Sequence, residues 1–430
     1  MKTRASMVVG GVIRKWGYLG SLSMVDQCLF SGSNFLVNML LARWLAPDAY
    51  GAFAVASSFY LMAAGVVCSL TLEPMMIYGS TDFAKQIHEY LKRISVLHMG
   101  ISTVTAILLL VACLCVRGVA GEMLVGAAFG LPFMLQVWFV RRALYTQTRI
   151  GHAVVVSLLY AVFLLGGIVV LEATGLLYPF RIYQVFVLAS LICILYYRLA
   201  ALTPKTACAS LASPAGQMLS KHWDYGKWLV VASIASSVST LLYAPALGLL
   251  SQLQEAAALK AVRNFSLPLN QLLTALYLLM LPVVAKVLRE ASRVRARRYM
   301  LAIGSAFVGA AAFYGATVTI FGRALILIFY PDTLYIDYYW LIPVLALVSV
   351  ITAINQFLAI VARVYERTRT ILAAKISSAI AVLLVLGVAV PIMRLRGVML
   401  GMCLGGLVEL YVLVRAFGNP RRDSSRVTTV

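Results

Sequence analysis

Apolar residues run along the chain in windows of about twenty residues, and short polar segments separate the windows. A helix of that length crosses the hydrocarbon core of a bilayer, which is about 30 Å thick. The windows predict twelve transmembrane helices, at 24–44, 50–72, 94–116, 123–140, 152–171, 182–202, 228–250, 267–287, 300–320, 338–361, 371–393 and 398–417. The predicted fold class is therefore an all-α polytopic membrane protein.

Lys and Arg are concentrated in every second connection between these windows. Because basic residues mark the cytoplasmic loops, the alternation predicts that both termini are cytoplasmic. The longest hydrophilic connection, 198–227, divides the windows six and six, which permits a parallel repeat. The predicted domains are an N-terminal six-helix bundle at 1–203, a cytoplasmic connecting loop at 204–226, a C-terminal six-helix bundle at 227–418 and a basic cytoplasmic tail at 419–430.

Composition excludes a soluble protein, since 62% of the 430 residues are hydrophobic and 12% are charged. A net charge of +21 would suit nucleic acid, but the basic residues lie in short loops and not on a soluble domain. No nucleic-acid partner is expected. The seven cysteines form no C-x-x-C pair and the four histidines are dispersed, so we expect no metal site. The chain has no P-loop sequence, so we expect no ATPase of its own. We expect no cofactor, and a proton or sodium gradient is the candidate driving force.

The first window carries a stripe of polar residues. Gln27, Ser31, Asn34 and Asn38 follow one another at steps of three or four, which places them on one face of a helix. Amide groups lose their hydrogen-bond partners in hydrocarbon, so this face is predicted to contact other helices or a water-filled cavity. The window ends at an interface, and the turn at 47–51 returns the chain into the second window.

Several short runs in this part of the chain resemble a known family. They are SMVDQ at 23–27, SGSNF at 31–35, LARWLAPDAYGAF at 41–53 and LEPM at 72–75. These runs are similar to the start of bacterial polysaccharide-transport proteins, the Wzx-type O-antigen flippases of the multidrug/oligosaccharidyl-lipid/polysaccharide exporter superfamily. The resemblance implies two six-helix bundles that form a V around a central cavity, which opens alternately to each side of the membrane.

The resemblance also implies a function and a place. Members of the family move an undecaprenyl-diphosphate-linked oligosaccharide repeat unit from the cytoplasmic to the periplasmic leaflet of the bacterial inner membrane. The expected partners are this lipid and the bilayer itself, with a polysaccharide polymerase and a chain-length regulator as further candidates. We expect no enzymatic activity.

Such a substrate needs cations for its diphosphate and amides or hydroxyls for its sugars. The candidate cations are Lys375 inside the eleventh window, Arg142 at the end of the fourth, and Arg43 and Arg263 at the outer side. The candidate amides are Gln27, Asn34, Asn38 and Asn264. Alternatives stay open for the cations: Lys375 extends to the interface, Arg142 is a positive-inside charge, and Arg43 and Arg263 pair with Asp48 and Glu255.

Asp26 and Glu73 are the candidates for ion coupling, because they lie near the cytoplasmic ends of the first two windows. A carboxylate there with a raised pKa would carry a proton or help to hold a sodium ion. The alternative for each is a salt bridge to a cation such as Arg142 or Lys375.

The sequence leaves two rival functions open. One is an ion-coupled multidrug or cation exporter of the same fold, whose cavity should favour carboxylates. The other is a polytopic O-antigen polymerase or glycosyltransferase, which should carry a large outer loop with catalytic groups. The predicted outer connections are short.

Overall fold

The computed structural model describes residues 2–114, 116–201, 215–250, 252–290, 292–331, 333–365 and 367–417. Within these residues the regular structure is entirely helical, as the hydropathy pattern predicted. The α-helices are α1 (Lys2–Trp44), α2 (Pro47–Leu70), α3 (Leu72–Ser80), α4 (Ile87–Cys113), α5 (Gly118–Thr146), α6 (Ile150–Ala173), α7 (Pro179–Tyr196), α8 (Ala215–Leu241), α9 (Tyr243–Leu249), α10 (Leu253–Asn264), α11 (Leu267–Glu290), α12 (Arg293–Ile320), α13 (Gly322–Phe329), α14 (Leu341–Val364), α15 (Thr368–Met393) and α16 (Leu395–Phe417).

Each of the twelve predicted spans coincides with one of the long helices or with a pair of consecutive ones. Among the described residues nine helical segments are long and apolar enough to cross a membrane, and the bent pair α8 and α9 makes a tenth. The first and eighth predicted spans lie on α1 and α11. The short helices α3, α10 and α13 are additions that hydropathy did not predict.

The seventh predicted span is broken in the structure, since α8 and α9 meet at an angle of 59°. Pro245 in the first turn of α9 explains the break. Its nitrogen carries no hydrogen, so it cannot donate to the carbonyl of Leu241, where α8 ends. The helical hydrogen bonds resume at Ala246, which donates to the carbonyl of Leu242 at 2.9 Å.

The helices pack into two compact units. The first comprises residues 1–45 and 59–231, and the second comprises 46–58 and 232–430. The bundle limits and the cytoplasmic termini inferred from the sequence stay predictions. Part of the predicted connecting loop, 204–214, and the predicted tail at 419–430 lie outside the described residues.

In the first unit α5 is the central helix, with 72% of its most apolar stretch buried. It packs against α4, α6 and α7, while α1 packs on α6. Glycine allows the close approach of α7, because a Cβ atom at Gly126 would lie 2.8 Å from the ring of Tyr183.

The second unit contains the first part of α2 together with α9 to α16 and the end of α8. Its core includes a cluster of buried apolar side chains from α11, α12 and α14: Leu269, Leu273, Val284, Phe307, Ala311, Ala353 and Ile360. The first residue of α10, Leu253, approaches α2 at Gly51, where a Cβ atom would lie 1.9 Å from the Leu253 carbonyl oxygen. This contact gives the glycine of the LARWLAPDAYGAF run a packing reason.

Candidate functional site

Asp26 on α1 forms a buried ion pair in the first unit. Its side chain has no exposed surface, and Arg141 of α5 donates from Nη2 to its Oδ2 at 2.6 Å. Tyr145 donates to the same oxygen at 2.8 Å, and Ser157 of α6 donates to Oδ1 at 2.5 Å. These three donors stabilise the charged form of the carboxylate. Since they come from α5 and α6, the bonds also join these helices to α1. The arrangement agrees with the salt-bridge alternative, with Arg141 in place of the expected partners.

Arg142, the next residue along α5, pairs with the other candidate carboxylate. Its Nη1 donates to Oε1 of Glu73 on α3 at 2.6 Å. The side chains of Arg142 and Glu73 are 32% and 43% exposed, so this ion pair is far more open than that of Asp26. Whether Asp26 or Glu73 takes part in ion coupling stays a prediction.

The polar stripe of α1 is hydrogen-bonded mainly within its own helix. Gln27 donates to the hydroxyl of Ser31 at 2.8 Å and accepts a long bond of 3.4 Å from Arg141. Asn34 and Asn38 donate to carbonyls one turn earlier, at 2.8 and 2.7 Å. Arg43 lies exposed in the last turn of α1. A role for Gln27, Asn34, Asn38 and Arg43 in sugar or phosphate binding stays a prediction.

The second unit contains a cavity of about 470 Å³. Most of its lining residues are polar, and they come from α8, α10, α11, α14, α15, α16 and the connection between α10 and α11. The uncharged polar residues are Ser236, Ser239, Thr240, Ser266, Asn270, Thr274, Ser349, Thr352, Asn355, Gln356 and Ser378. Along α14 the lining extends from Leu345 to Arg363, which is about 27 Å at 1.5 Å per residue. The cavity is therefore long enough for an elongated polar ligand.

Three cations and one carboxylate line this cavity: Arg263, Arg363, Lys375 and Glu409. Nζ of Lys375 on α15 lies 2.7 Å from Oε1 of Glu409 on α16, and the two side chains are 31% and 11% exposed. Arg363 lies in the last turn of α14, and Lys375 lies in the second turn of α15, which follows after a short connection, so both are near the same end of the cavity. Predicted residue Lys375 is thus in the cavity, but its charge is paired.

The two other predicted residues of this unit, Arg263 and Asn264, are neighbours with different surroundings. Arg263 lines the cavity and donates from Nη1 to the carbonyl of Thr240 at 2.8 Å, near the end of α8. The buried Asn264 donates instead to the hydroxyls of Tyr50 and Tyr330, at 3.0 and 3.2 Å. These bonds join α10 to α2 and to the end of α13, and a role for Asn264 in substrate binding stays a prediction.

Lys260 lies one turn before Arg263 on α10, which is not one of the candidate spans. Its amine donates to the hydroxyl of Ser57 at 2.6 Å and lies 4.9 Å from the ring centre of Phe53. No described carboxylate pairs with it. Burial, with a smaller effect from Arg263, lowers the pKa of Lys260 from 10.5 to about 7.

The lowered pKa predicts how stability depends on pH. Between pH 7 and 10.5 the amine is protonated in the unfolded chain but largely neutral in the fold, so unfolding takes up a proton. The thermal midpoint of the purified protein in detergent should therefore rise with pH over this range, and Lys260→Met should reduce the slope. Lys227→Met, at an exposed ion pair with Asp224, should leave it unchanged. An equal slope in Lys260→Met and the original protein would refute the assignment.

Sequence reasoning missed Arg141, Arg363 and Glu409 as partners in these sites. In the sequence Arg141 and Arg363 look like loop charges, and Glu409 lies inside a window. Glu409 carried a usable signal, because a carboxylate within an apolar span needs a partner, and Lys375 is a cation in the neighbouring span. The serines of α14 and α15 carried none, since Ser and Thr are common in spans and often bond to their own helix.

Comparison with known proteins shows the fold. The sequence matches no family model and has no significant match among curated proteins. Its structure is similar to an inward-facing multidrug resistance MATE family transporter of the MOP superfamily, with a TM-score of 0.74, 12% identity and coverage of 93% of this chain and 96% of that one. It is also similar to the MATE multidrug transporter DinF-BH in complex with rhodamine 6G, with a TM-score of 0.65, 14% identity and coverage of 94% and 95%.

A third similar structure is a MOP superfamily transporter from Pyrococcus furiosus, for which the reversed polarity of the binding pocket suggests a different function. Its TM-score is 0.57, at 12% identity and 93% and 94% coverage. The chain thus has the fold of multi-pass membrane transporters of this superfamily, and the three similar structures are those of transporters. The sequence resemblance is confirmed at the level of the superfamily fold, and its finer part, the Wzx-type family, stays a prediction.

Proposed function

We propose that this protein is a flippase that moves undecaprenyl-diphosphate-linked oligosaccharide repeat units from the cytoplasmic to the periplasmic leaflet of the inner membrane. The diphosphate and sugars enter the cavity of the second unit while the lipid tail stays in the bilayer. Arg363 and Lys375 hold the diphosphate near the cytoplasmic end assigned by charge alternation. Hydroxyl and amide groups along α14 hold the sugars.

The observation that carries the proposal is the chemistry of the cavity lining. Three of its four described charged residues are cations, and eleven of its lining residues are Ser, Thr, Asn or Gln. Cations suit phosphate oxygens, and hydroxyls and amides exchange hydrogen bonds with sugar hydroxyls. The described lining contains no Phe, Tyr or Trp. Among the described lining residues, a planar aromatic cation would meet three cations and one carboxylate.

The multidrug-exporter alternative has its support in the neighbours, since one of them was solved in complex with rhodamine 6G. The multidrug-exporter alternative predicts export of a hydrophobic cation. In that case binding of the cation would depend on the cavity carboxylate, Glu409. The polymerase alternative predicts that an intact repeat unit reaches the outer leaflet but is not polymerised.

A reconstitution assay separates the first two functions. The purified full chain is placed in phosphatidylcholine vesicles with a fluorescent polyprenyl-diphosphoryl-oligosaccharide, and a membrane-impermeant quencher reports the lipid in each leaflet. We expect rapid exchange between leaflets. Transport of rhodamine 6G without movement of the diphosphate lipid would replace the proposal with a drug exporter.

In the same assay, Arg363→Gln combined with Lys375→Gln should slow exchange at least about tenfold, because each variant removes a charge-assisted hydrogen bond to phosphate. Lys227→Gln is the matched control, since it removes a cation that pairs with Asp224 outside the cavity. An unchanged rate in the double variant would remove the cavity from the mechanism.

In cells, depletion of the protein should confine an intact repeat unit to the cytoplasmic leaflet, where periplasmic enzymes in spheroplasts cannot reach it. An unpolymerised unit in the outer leaflet would instead favour the polymerase.

A further inference from the structure

The ion pair between Lys375 and Glu409 lies inside the cavity and not at its edge. Both side chains contribute to the lining, and their charged atoms are 2.7 Å apart. Glu409 is the one carboxylate among the described lining residues. Because it is 11% exposed and directly bonded, it neutralises Lys375 before any ligand arrives.

A ligand that binds Lys375 must therefore displace Glu409 or lie beside it. A phosphodiester with a single negative charge gains little binding free energy by displacing Glu409 from Lys375. It puts one phosphate in the place of one carboxylate and leaves Glu409 without its partner. A diphosphate joined to lipid and sugar carries two charges, so its second phosphate adds an interaction that Glu409 did not make. Arg363 enters from the same end of the cavity.

We infer that Glu409 makes this cavity selective for lipids with two phosphate charges over the single-phosphate lipids of the surrounding bilayer. Phospholipid head groups are present in great excess over any carrier lipid, and an unpaired lysine in a polar cavity would bind them. The ion pair with Glu409 makes Lys375 less available to these phospholipid head groups. The inference rests on the proposed function, because it assumes that a lipid diphosphate is the ligand.

The ion pair is not the only contact between α15 and α16. Gly405 of α16 fits against α15, where a Cβ atom would lie 2.6 Å from a methyl of Val382. We expect this close contact to keep α15 and α16 together when the charge of Glu409 is removed. Glu409→Gln retains the size and the hydrogen-bonding oxygen of the side chain, so the variant is expected to fold.

The test measures binding by the purified full chain in phosphatidylcholine nanodiscs. The two-phosphate probe is a short-chain polyprenyl-diphosphoryl-N-acetylglucosamine, and the competitor is short-chain phosphatidylglycerol, which carries one phosphate charge. The original protein should prefer the first probe. Glu409→Gln should strengthen phosphatidylglycerol binding about tenfold, the value of one charge-assisted interaction, and thereby reduce the preference. Glu409→Asp, which keeps the charge, should preserve the preference.

Glu89→Gln is the matched control, because Glu89 pairs with Arg93 one turn later on α4, outside the cavity. It should leave both affinities unchanged. If the original protein prefers the diphosphate and Glu409→Gln does not change the ratio, the selectivity role fails while the flippase proposal stands. If the original protein binds neither probe, the proposed function fails first. A fall in both affinities with a lower thermal midpoint would make the ion pair a helix-packing contact and overturn the inference.

Discussion

Asp26→Ala is expected to destabilise the protein by about 3–5 kcal/mol, the range found when one partner of a buried ion pair is removed. The substitution leaves Arg141, whose side chain is 11% exposed, without the carboxylate that it contacts at 2.6 Å. Tyr145 and Ser157 lose their acceptor at the same time. The measurement is the unfolding midpoint of the purified protein in detergent, followed by intrinsic fluorescence.

The neighbouring ion pair supplies the control. Glu73→Ala removes the partner of Arg142 at the same short distance, but both of these side chains are about one third exposed or more. An exposed pair contributes at most about 1 kcal/mol, so this variant should be nearly neutral. Asp26→Ala with Arg141→Met should recover much of the loss, because it removes the unpaired charge as well. Equal losses in Asp26→Ala and Glu73→Ala would contradict the distinction drawn from burial.

Gly51→Ala should be the second severe substitution. The added Cβ atom would lie 1.9 Å from the carbonyl oxygen of Leu253 and 2.6 Å from its carbon. A backbone carbonyl cannot rotate away as a side chain can, so α10 must shift relative to α2. We expect a loss at or above the upper end of the roughly 1–3 kcal/mol typical of overpacking. Since Arg263 lies near the end of α10, the same shift should slow lipid exchange in the vesicle assay.

Gly309→Ala is the matched change in the same unit, since nothing lies within 4 Å of a Cβ atom there. Alanine favours a helix over glycine by up to about 1 kcal/mol, so this variant should be neutral or stabilising. Opposite signs for the two substitutions, measured as detergent unfolding midpoints, are the expected result. A neutral Gly51→Ala would show that α10 and α2 do not approach as closely as described.

The fold followed from sequence because the bilayer constrains it so strongly. Apolar windows of a fixed minimum length predicted every long helix, and among the described residues the one sharply bent pair within a window is α8 and α9. Pro245 was visible in the sequence, but a proline within a span either kinks or interrupts a helix, and the pattern does not distinguish them. The short helices α3 and α10 escaped prediction since neither is long enough to produce a window.

The site was harder to predict because it depends on which faces of separate helices meet. Lys375 stood out as a cation within a span, and the structure places it in a polar cavity. Asp26 stood out equally, yet its partner proved to be Arg141, one residue away from the expected Arg142. Adjacent residues on a helix point about 100° apart, so a shift of one position changes the neighbour completely. The hydropathy windows locate a helix but do not give its rotation about its axis, so they do not predict which of two adjacent residues faces a given partner.

The break between α8 and α9 also links backbone shape to the electric field of the cavity. The last carbonyls of a helix have no partner within it and carry a partial negative charge. Thr240, next to the end of α8, presents such a carbonyl, and Arg263 donates to it. Among the described residues, Arg263 is therefore bound by a backbone carbonyl at the kink and not by an acidic side chain. Substitutions at Pro245 will therefore alter the electrostatic potential at the ligand as well as the path of the helix.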